Sequence, residues 1–191
     1  TTDENIWKVE NGVIVGGNLS LPTPKNSFLF HKKEFDDFEL KLQFLLEGFP
    51  EKGMVNSGVQ FRSEKFGGGE ARGYQADIGD PTWWGSLYDE HRRNRVLASS
   101  DMGALSPVLN REGWNDYVIR CEGPRIRLWI NGVATVDYVE SDSQISHKGL
   151  IAFQLHSGGP VQVSFRDITV SKIRAVESPR TPRKELESFT V

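Results

Sequence analysis

The sequence lacks the residues on which several classes of protein depend. Its 191 residues include one cysteine, Cys121, so no intrachain disulfide can form. No apolar run reaches the ~18 residues that a membrane-spanning helix requires, so no membrane insertion is expected. The formal net charge is −3, and the one dense basic run, HRRNR at 91–95, is flanked by acids, which argues against a nucleic-acid partner. No HExxH, CxxC or EF-hand spacing occurs, so neither a catalytic metal nor another cofactor is expected, while a structural calcium ion is left open.

Little in the sequence fixes the compartment. A single cysteine is compatible with an oxidising or a reducing environment, because a protein with a good core needs no disulfide. The chain begins at Thr1 rather than at methionine, which suggests a trimmed or mature form. The oligomeric state is left open by the sequence.

Alternation with a period of two dominates the chain, and helical periodicity is nearly absent. The segment DFELKLQFLLE alternates apolar and other residues from Phe38 to Leu46, as a half-buried strand does. Asn131-Gly132 is a strong hairpin signal because both residues accept positive φ angles. The segment Glu122-Gly123-Pro124 predicts a second tight turn. Nineteen glycines and nine prolines fit many short strands joined by turns.

Ten or more such strands predict an all-β sandwich of two antiparallel sheets, with an eight-stranded barrel as the alternative. We expect one domain over residues 1–173. From residue 174 to 191 alternation is lost while proline and charge increase, which predicts an extended tail or linker.

Four predicted strands place pairs of large polar side chains on the face that their apolar residues leave free. Because alternate residues of a strand point to opposite faces, these side chains would share one surface. The pairs are Gln60 and Arg62, Gln75 and Asp77, Tyr88 and Glu90, and Gln154 and His156. Amides, carboxylates and an arginine beside aromatic rings are what a sugar requires, since its hydroxyls form paired hydrogen bonds and its C–H faces pack on rings. Trp83 and Trp84 are the candidate stacking residues.

Structural interpretations of the same residues remain open at this point. Asp77 and Arg62 would also form a cross-strand ion pair, and Glu90 would also fit a surface cluster with the arginines at 92, 93 and 95. His156 would also cap a turn. The other three tryptophans and three histidines are expected to serve packing and surface positions.

Seven segments, in order, resemble the 3-keto-disaccharide hydrolase domain family. They are DFELKLQF, NSGVQFRS, RGYQADIGD, WGSLYDE, GWNDYVIRCEGPRIRLWINGV, GLIAFQLH and VSFRDITV, within about residues 5–173. The resemblance implies a concanavalin A-like jelly-roll sandwich with a concave binding face. It also implies a bacterial protein, often exported to the periplasm or beyond. Many members have Gly-Tyr-Glu-x-Gln where this chain has Gly73 to Asp77, so an amide and a carboxylate are exchanged here.

The resemblance further implies a substrate, an oligosaccharide or glycoside oxidised to a ketone at C3. A C3 ketone makes the C2 proton acidic, so a base can remove it and the aglycone can leave from C1 by elimination, with or without later addition of water. His156 or Asp77 is the expected base, Arg62 would stabilise the enolate, and Glu90 would protonate the leaving group. Ring hydroxyls would be oriented by Gln60, Gln75, Tyr88 and Gln154. A non-catalytic, lectin-like module is the alternative function, because the fold alone does not imply an enzyme.

Overall fold

The protein is described by a computed structural model in which residues 6–173 are defined. This part of the chain is almost entirely β-structure, with one short helix, α1 (Met102–Leu105), and two single 3₁₀ turns at Pro50–Lys52 and Gly67–Gly69. The strands are β1 (Trp7–Glu10), β2 (Val13–Asn18), β3 (Ser27–Phe35), β4 (Phe38–Gly48), β5 (Asn56–Phe66), β6 (Glu70–Gly79), β7 (Leu87–Glu90), β8 (Arg95–Ala98), β9 (Asn115–Glu122), β10 (Arg125–Ile130), β11 (Val133–Val139), β12 (Gly149–Leu155) and β13 (Val161–Lys172).

The strands form two antiparallel sheets that face each other. A seven-stranded sheet has the order β1-β2-β13-β4-β9-β10-β11, and a six-stranded sheet has the order β3-β12-β5-β6-β7-β8. The all-β jelly-roll sandwich predicted from the sequence is therefore confirmed. The barrel alternative is wrong, because the strands pair into two separate sheets rather than one closed cylinder.

The core lies between the sheets and follows the alternation of the sequence. On β4 every second residue from Phe38 to Leu46 is buried, while β6 contributes Tyr74, Ala76 and Ile78 from the opposite sheet. The hairpin between β10 and β11 turns at Asn131 and Gly132, which have φ angles of 49° and 81°. Both are in the left-handed region that a type I′ turn needs.

Four neighbouring strands, β12, β5, β6 and β7, place the polar residues of interest on the outer face of the six-stranded sheet. Gln60 on β5 pairs in register with Gln75 on β6, which in turn pairs with Tyr88 on β7. On β12, Gln154 pairs with Gly58 of β5. The order of strands thus brings together Gly58 and Gln154, which are 96 positions apart in the chain.

Two further expectations concern the C-terminal tail and the absence of membrane-spanning helices. The predicted tail at residues 174–191 lies outside the described residues. Within residues 6–173, no helix has the length and apolar character that crossing a bilayer demands.

Candidate functional site

A pocket of about 190 Å³ opens on the outer face of the six-stranded sheet. Strands β5, β6 and β7 and the residue that follows β12 supply its floor and walls. The loops before β3, before β5 and between β6 and β7 supply its rim. Its lining residues are Asn26, Met54, Asn56, Gln75, Asp77, Trp83, Tyr88, Glu90 and His156. The structure therefore brings together six of the ten predicted site residues in one cavity.

A chain of amide hydrogen bonds lies beneath the pocket and fixes its floor. Gln60 Nε2 donates to Gln75 Oε1 at 2.7 Å, and Gln75 Nε2 donates to Asp77 Oδ1 at 2.6 Å and to Gln154 Oε1 at 3.1 Å. Gln60 and Gln154 are fully buried, so they hold Gln75 rather than line the cavity. Gly58 makes room for this arrangement, because a Cβ atom there would lie 2.7 Å from the Gln75 side chain.

Asp77 is the most deeply placed acid of the pocket. Its side chain belongs to the outer face, yet the residue is only 3% exposed. Burial raises the pKa of Asp77 well above its ordinary value, and the nearby charge of Glu90 raises it further, whereas the hydrogen bond from Gln75 opposes both. A neutral carboxyl at this position keeps one oxygen as an acceptor for Gln75 and has an O–H group to donate.

Glu90 is a second acid whose environment favours the protonated form. Burial is the main cause of its raised pKa, with further contributions from the charges of Glu70 and Asp89, while His91 and His156 oppose the shift. Its Oε1 lies 3.7 Å from Nε2 of His91, which in turn lies 3.6 Å from Glu70 Oε2. The pocket thus holds two carboxyl groups whose proton affinity is increased in the folded protein.

His156 follows β12 directly and lines the same cavity. Its Nδ1 lies 2.6 Å from the backbone oxygen of Ser157. A carbonyl oxygen only accepts hydrogen bonds, so the neutral imidazole carries its proton on Nδ1 and has its lone pair on Nε2. The expected role in capping the turn and a role as base are therefore compatible, since they use different nitrogens.

Trp83 and Tyr88 form the aromatic part of the pocket. Their ring centroids are 6.3 Å apart and their planes are nearly perpendicular, at 82°. Trp83 is partly exposed, and its backbone N–H donates to the Gly79 oxygen at 3.1 Å, which fixes the turn that carries it. A partly exposed indole beside hydroxyl and amide groups has the geometry on which sugar rings pack.

The prediction that Arg62 faces the pocket is wrong. A β-bulge after Phe61 adds one residue to β5, and Arg62 adopts a positive φ of 46°, so strict alternation ends there. Its side chain is 1% exposed and runs to the opposite sheet, where the guanidinium donates to the backbone oxygens of Asp36 and Gly123 and pairs with Asp37 at 3.0 Å. Arg62 thus ties together the turns at one end of the sandwich.

The prediction that Trp84 stacks on a sugar is also wrong. Trp84 is 2% exposed and its ring stacks on Phe44 of the seven-stranded sheet, with centroids 6.1 Å apart. Its indole N–H donates to Asp80 Oδ1 at 3.0 Å. The turn between β6 and β7 directs Trp84 into the core and leaves Trp83 partly exposed at the pocket, so Trp83 alone of the pair reaches the outer face.

The two ion-pair interpretations are also excluded by the geometry. Arg62 pairs with Asp37 rather than Asp77. The arginines at 92 and 93 bind Asp89, the neighbour of Glu90 on the other side of β7. The carboxyl groups of the pocket therefore have no arginine partner among residues 6–173.

Sequence reasoning missed three lining residues, Asn26, Met54 and Asn56. For Asn56 a signal was present, because counting back by twos from Gln60 through Gly58 reaches Asn56 on the same face. Asn26 and Met54 come from loops, where no periodicity applies. The described residues contain no group of three or more histidine, cysteine, aspartate or glutamate side chains arranged to hold a metal ion.

Solved structures of similar fold include proteins that act on or bind carbohydrates. A candidate glycosyl hydrolase from Parabacteroides distasonis ATCC 8503 has a TM-score of 0.63 at 18% identity, covering 91% of this chain and 93% of that one. The carbohydrate-binding module CBM66 from Bacillus subtilis has a TM-score of 0.66 at 14% identity, covering 87% and 91%. A Bacillus subtilis protein of galectin-like fold has a TM-score of 0.64 at 11% identity, covering 87% and 86%. At these identities the likeness shows the fold alone.

No curated protein matches the chain. The sequence does match a family of carbohydrate-active domains over residues 1–171, which is nearly the whole sandwich. This agrees with the ordered segments of the sequence and with a pocket built from amides, carboxyls, a histidine and an exposed indole. The chain belongs to the 3-keto-alpha-glucoside-1,2-lyase-like domain family.

Proposed function

We propose that the protein cleaves glycosides whose sugar ring is already oxidised to a ketone at C3. The observation that carries this proposal is the meeting, in one pocket, of a histidine with a free Nε2 lone pair and two carboxyl groups of raised pKa. Such a set supplies a base, an acid and a neutral hydrogen-bond donor. An elimination from a 3-keto sugar uses these three functions and no oxidant, since the ketone is already in the substrate.

The first step is removal of the C2 proton by His156 Nε2. The electrons of the C2–H bond form the enolate, whose negative charge develops on the C3 oxygen. The hydrogen bond from His156 Nδ1 to the Ser157 carbonyl keeps the ring in the tautomer that can accept this proton, and the imidazolium that results retains that bond.

The second requirement is a donor for the developing enolate oxygen. Arg62 was expected in this role but lies elsewhere. We assign the role of donor to the neutral carboxyl of Asp77. A buried acid kept protonated by its surroundings donates a hydrogen bond at neutral pH without introducing a permanent charge. The hydrogen bond from Gln75 fixes which oxygen of Asp77 is free to donate.

The third step is departure of the aglycone. As the enolate collapses, the C1–O bond breaks with its electrons going to the leaving oxygen, and the carboxyl of Glu90 supplies the proton. The product is the conjugated enone together with the free aglycone. Addition of water at C1 and return of the proton to C2 would give net hydrolysis.

A direct test follows 3-keto-trehalose over time for release of glucose and for ultraviolet absorbance of the enone. We expect His156→Gln to reduce turnover by about 10²- to 10⁴-fold, the usual contribution of a general base. His147→Gln, which lies outside the pocket, is the matched control and is expected to retain activity. Undiminished turnover in His156→Gln would refute the assignment of the base.

Isotopic labelling separates elimination from direct displacement at C1. With deuterium at C2, the proposed mechanism predicts a primary kinetic isotope effect, or exchange of the label with solvent before the aglycone leaves. A displacement at C1 would leave the C2 label in place.

A non-catalytic carbohydrate-binding module is the second candidate function. The partly exposed ring of Trp83 at the rim favours it, because a stacking residue beside amides is what sugar binding requires. Such a module would bind unmodified trehalose as well as its 3-keto form and release no glucose from either. Binding measured by calorimetry, together with the absence of product, would select this function.

A further inference from the structure

A second cavity adjoins the pocket that contains Asp77, Glu90 and His156, which we call the sugar pocket, and Asn26 lies between the two. It has a volume of about 490 Å³ and lies between the start of β3 and the tip of the β5–β6 hairpin. Asn26 lines both cavities, and its Nδ2 contacts Glu70 Oε2 at 3.4 Å. This side chain is therefore the boundary across which a bound molecule would extend from one cavity to the other.

The sugar pocket is too small for a whole disaccharide. Its 190 Å³ is below the ~300 Å³ at which pockets for larger organic ligands begin, and it matches a single sugar ring. If the ring that loses its C2 proton fills this pocket, the leaving group must lie outside it. The adjoining cavity provides that space.

The second cavity is lined by three lysines, Lys25, Lys32 and Lys65. The lysine ion pairs within residues 6–173 involve other lysines, at positions 8, 41 and 148. The three ammonium groups therefore have no carboxylate partner in the described part of the chain, and their charges add to a positive potential at the cavity.

An apolar surface accompanies these charges. Phe28, Ala71 and Ala152 form a small buried cluster, and the partly exposed ring of Phe30 packs against it. The ammonium of Lys65 lies over the Phe30 ring, 5.4 Å from its centroid, which holds this charge beside the cavity. A ring with an anionic substituent matches both the aromatic surface and the lysines.

We propose that this second cavity, the lysine cavity, binds the leaving group and selects leaving groups that carry a carboxylate or a phosphate. The proposal rests on the proposed function for the identity of the bound molecule, but the preference for anions derives from the lysines alone. The substrate class is accordingly a 3-keto-glycoside with an anionic aglycone, such as a sugar phosphate or a uronic acid.

The kinetic test compares 3-keto-trehalose with two derivatives that carry, on the ring without the ketone, a 6-phosphate or a 6-carboxylate. We expect kcat/KM to be about tenfold higher for the charged substrates at low ionic strength, because three surface charges each contribute modestly. In the triple variant Lys25→Gln/Lys32→Gln/Lys65→Gln this preference for charged over neutral substrate is expected to disappear. The triple variant Lys52→Gln/Lys148→Gln/Lys172→Gln removes the same charge elsewhere and keeps the preference.

A binding measurement separates failure of this proposal from failure of the proposed function. Glucose 6-phosphate, glucuronate and glucose are titrated into the wild-type protein while the backbone amide signals of Gly68 and Gly69 are followed by NMR. Shifts with the two anionic sugars but not with glucose, lost in the first triple variant, support the cavity even if no 3-keto-glycoside is cleaved. A response to only one of the anions identifies carboxylate or phosphate as the preferred group.

Two results would overturn the proposal. One is equal kcat/KM for the neutral and charged substrates. The other is an absence of amide shifts with both anionic sugars, whatever the activity of the protein.

Discussion

Asp89 and Glu90 are neighbours on β7, yet their surroundings are opposite. Alternation along the strand sends Asp89 to the sandwich side and Glu90 to the outer face. Asp89 is fully buried and accepts hydrogen bonds from both Arg92 and Arg93. Glu90, in the pocket, forms no ion pair with an arginine or lysine of residues 6–173, and the histidines at 91 and 156 lie near it.

The network around Asp89 is closed by compensating charges. Arg93 also donates to Glu140 Oε2 at 2.7 Å, and the hydroxyl of Tyr74 donates to the same oxygen at 2.6 Å. Burial alone would raise the pKa of Glu140, but these hydrogen bonds outweigh it and lower the pKa to about 2. The pKa of Glu140, which has fixed partners, is thus lowered, whereas burial raises the pKa values of the pocket acids Asp77 and Glu90.

Of the replacements that test this comparison, that of Glu90 in the pocket should have the largest effect, and the effect should be on turnover. We expect Glu90→Gln to lower kcat/KM for 3-keto-trehalose by about 10²- to 10³-fold, because the leaving alkoxide then lacks its acid. A 3-keto-glycoside of 4-nitrophenol is the internal control, since its anion leaves without protonation and should be affected far less. Equal losses for both substrates would contradict the role.

The pH profile sharpens the same prediction. In the proposed mechanism Glu90 acts in its protonated form, so activity is expected to fall as pH rises through its pKa. The raised pKa moves this decline to higher pH than for an ordinary glutamate. Burial and the charges of His91, His156 and Glu70, together with that of Asp89 on the other side of β7, set that pKa. In Glu90→Gln the contribution of Glu90 to this alkaline decline is expected to disappear, and the decline that remains is the one caused by ionisation of Asp77, as steady-state kinetics over pH would record.

Replacement of Arg93 in the paired network should instead affect stability. Arg93→Ala removes a partner from the buried carboxylates of Asp89 and Glu140. We expect the free energy of unfolding to fall by about 3 kcal/mol. This is the lower end of the range for a broken buried ion pair, because Arg93 is partly exposed. Urea unfolding measures it. The activity of the molecules that remain folded should change little, and a loss of turnover at full stability would contradict the division between the two regions.

Asp77→Asn should change the free energy of unfolding least. It should raise this free energy, whereas Arg93→Ala lowers it. The folded protein raises the pKa of Asp77, so ionising it costs free energy that the unfolded chain does not bear. This cost is absent below the pKa of an unfolded aspartate, about 4, grows as pH rises from there to the raised pKa of the folded protein, and is constant above it. An asparagine still accepts the hydrogen bond from Gln75, so the variant should melt at a higher temperature than wild type at pH 7, with the difference vanishing near pH 4.

Thermal unfolding at a series of pH values tests this prediction. A variant that is less stable at pH 7 would mean that Asp77 is ionised and held by partners, and it would no longer serve as the neutral donor. Turnover of Asp77→Asn is expected to fall even though its stability rises, which distinguishes a functional acid from a structural one.

Much of the site was accessible to pattern reasoning because a strand has a strict period. Alternation placed Gln75, Asp77, Tyr88 and Glu90 on one face, and all four line the pocket. The same rule failed at Arg62, where the bulge inserts one residue and reverses the direction of the side chain. Bulges have no unique sequence signal when the residue with positive φ is an arginine.

The paths of the loops were the other feature that the sequence did not predict. Trp83 and Trp84 are equally aromatic, and only the path of the β6–β7 connection decides that Trp84 packs on Phe44 while Trp83 reaches the rim. The loop residues Asn26 and Met54 complete the pocket without any periodic signal. Their positions depend on long-range packing.

The sequence by itself determined the two-sheet fold, the apolar interior and the face that carries the polar groups, because each of these depends on local alternation and turn chemistry. Tertiary structure alone decided which charges are neutralised by partners, which remain in the pocket, and how the lysine cavity adjoins it. Those properties depend on distances between strands far apart in the chain, and the proton affinity of a carboxyl group depends on the burial and the charges that such distances create.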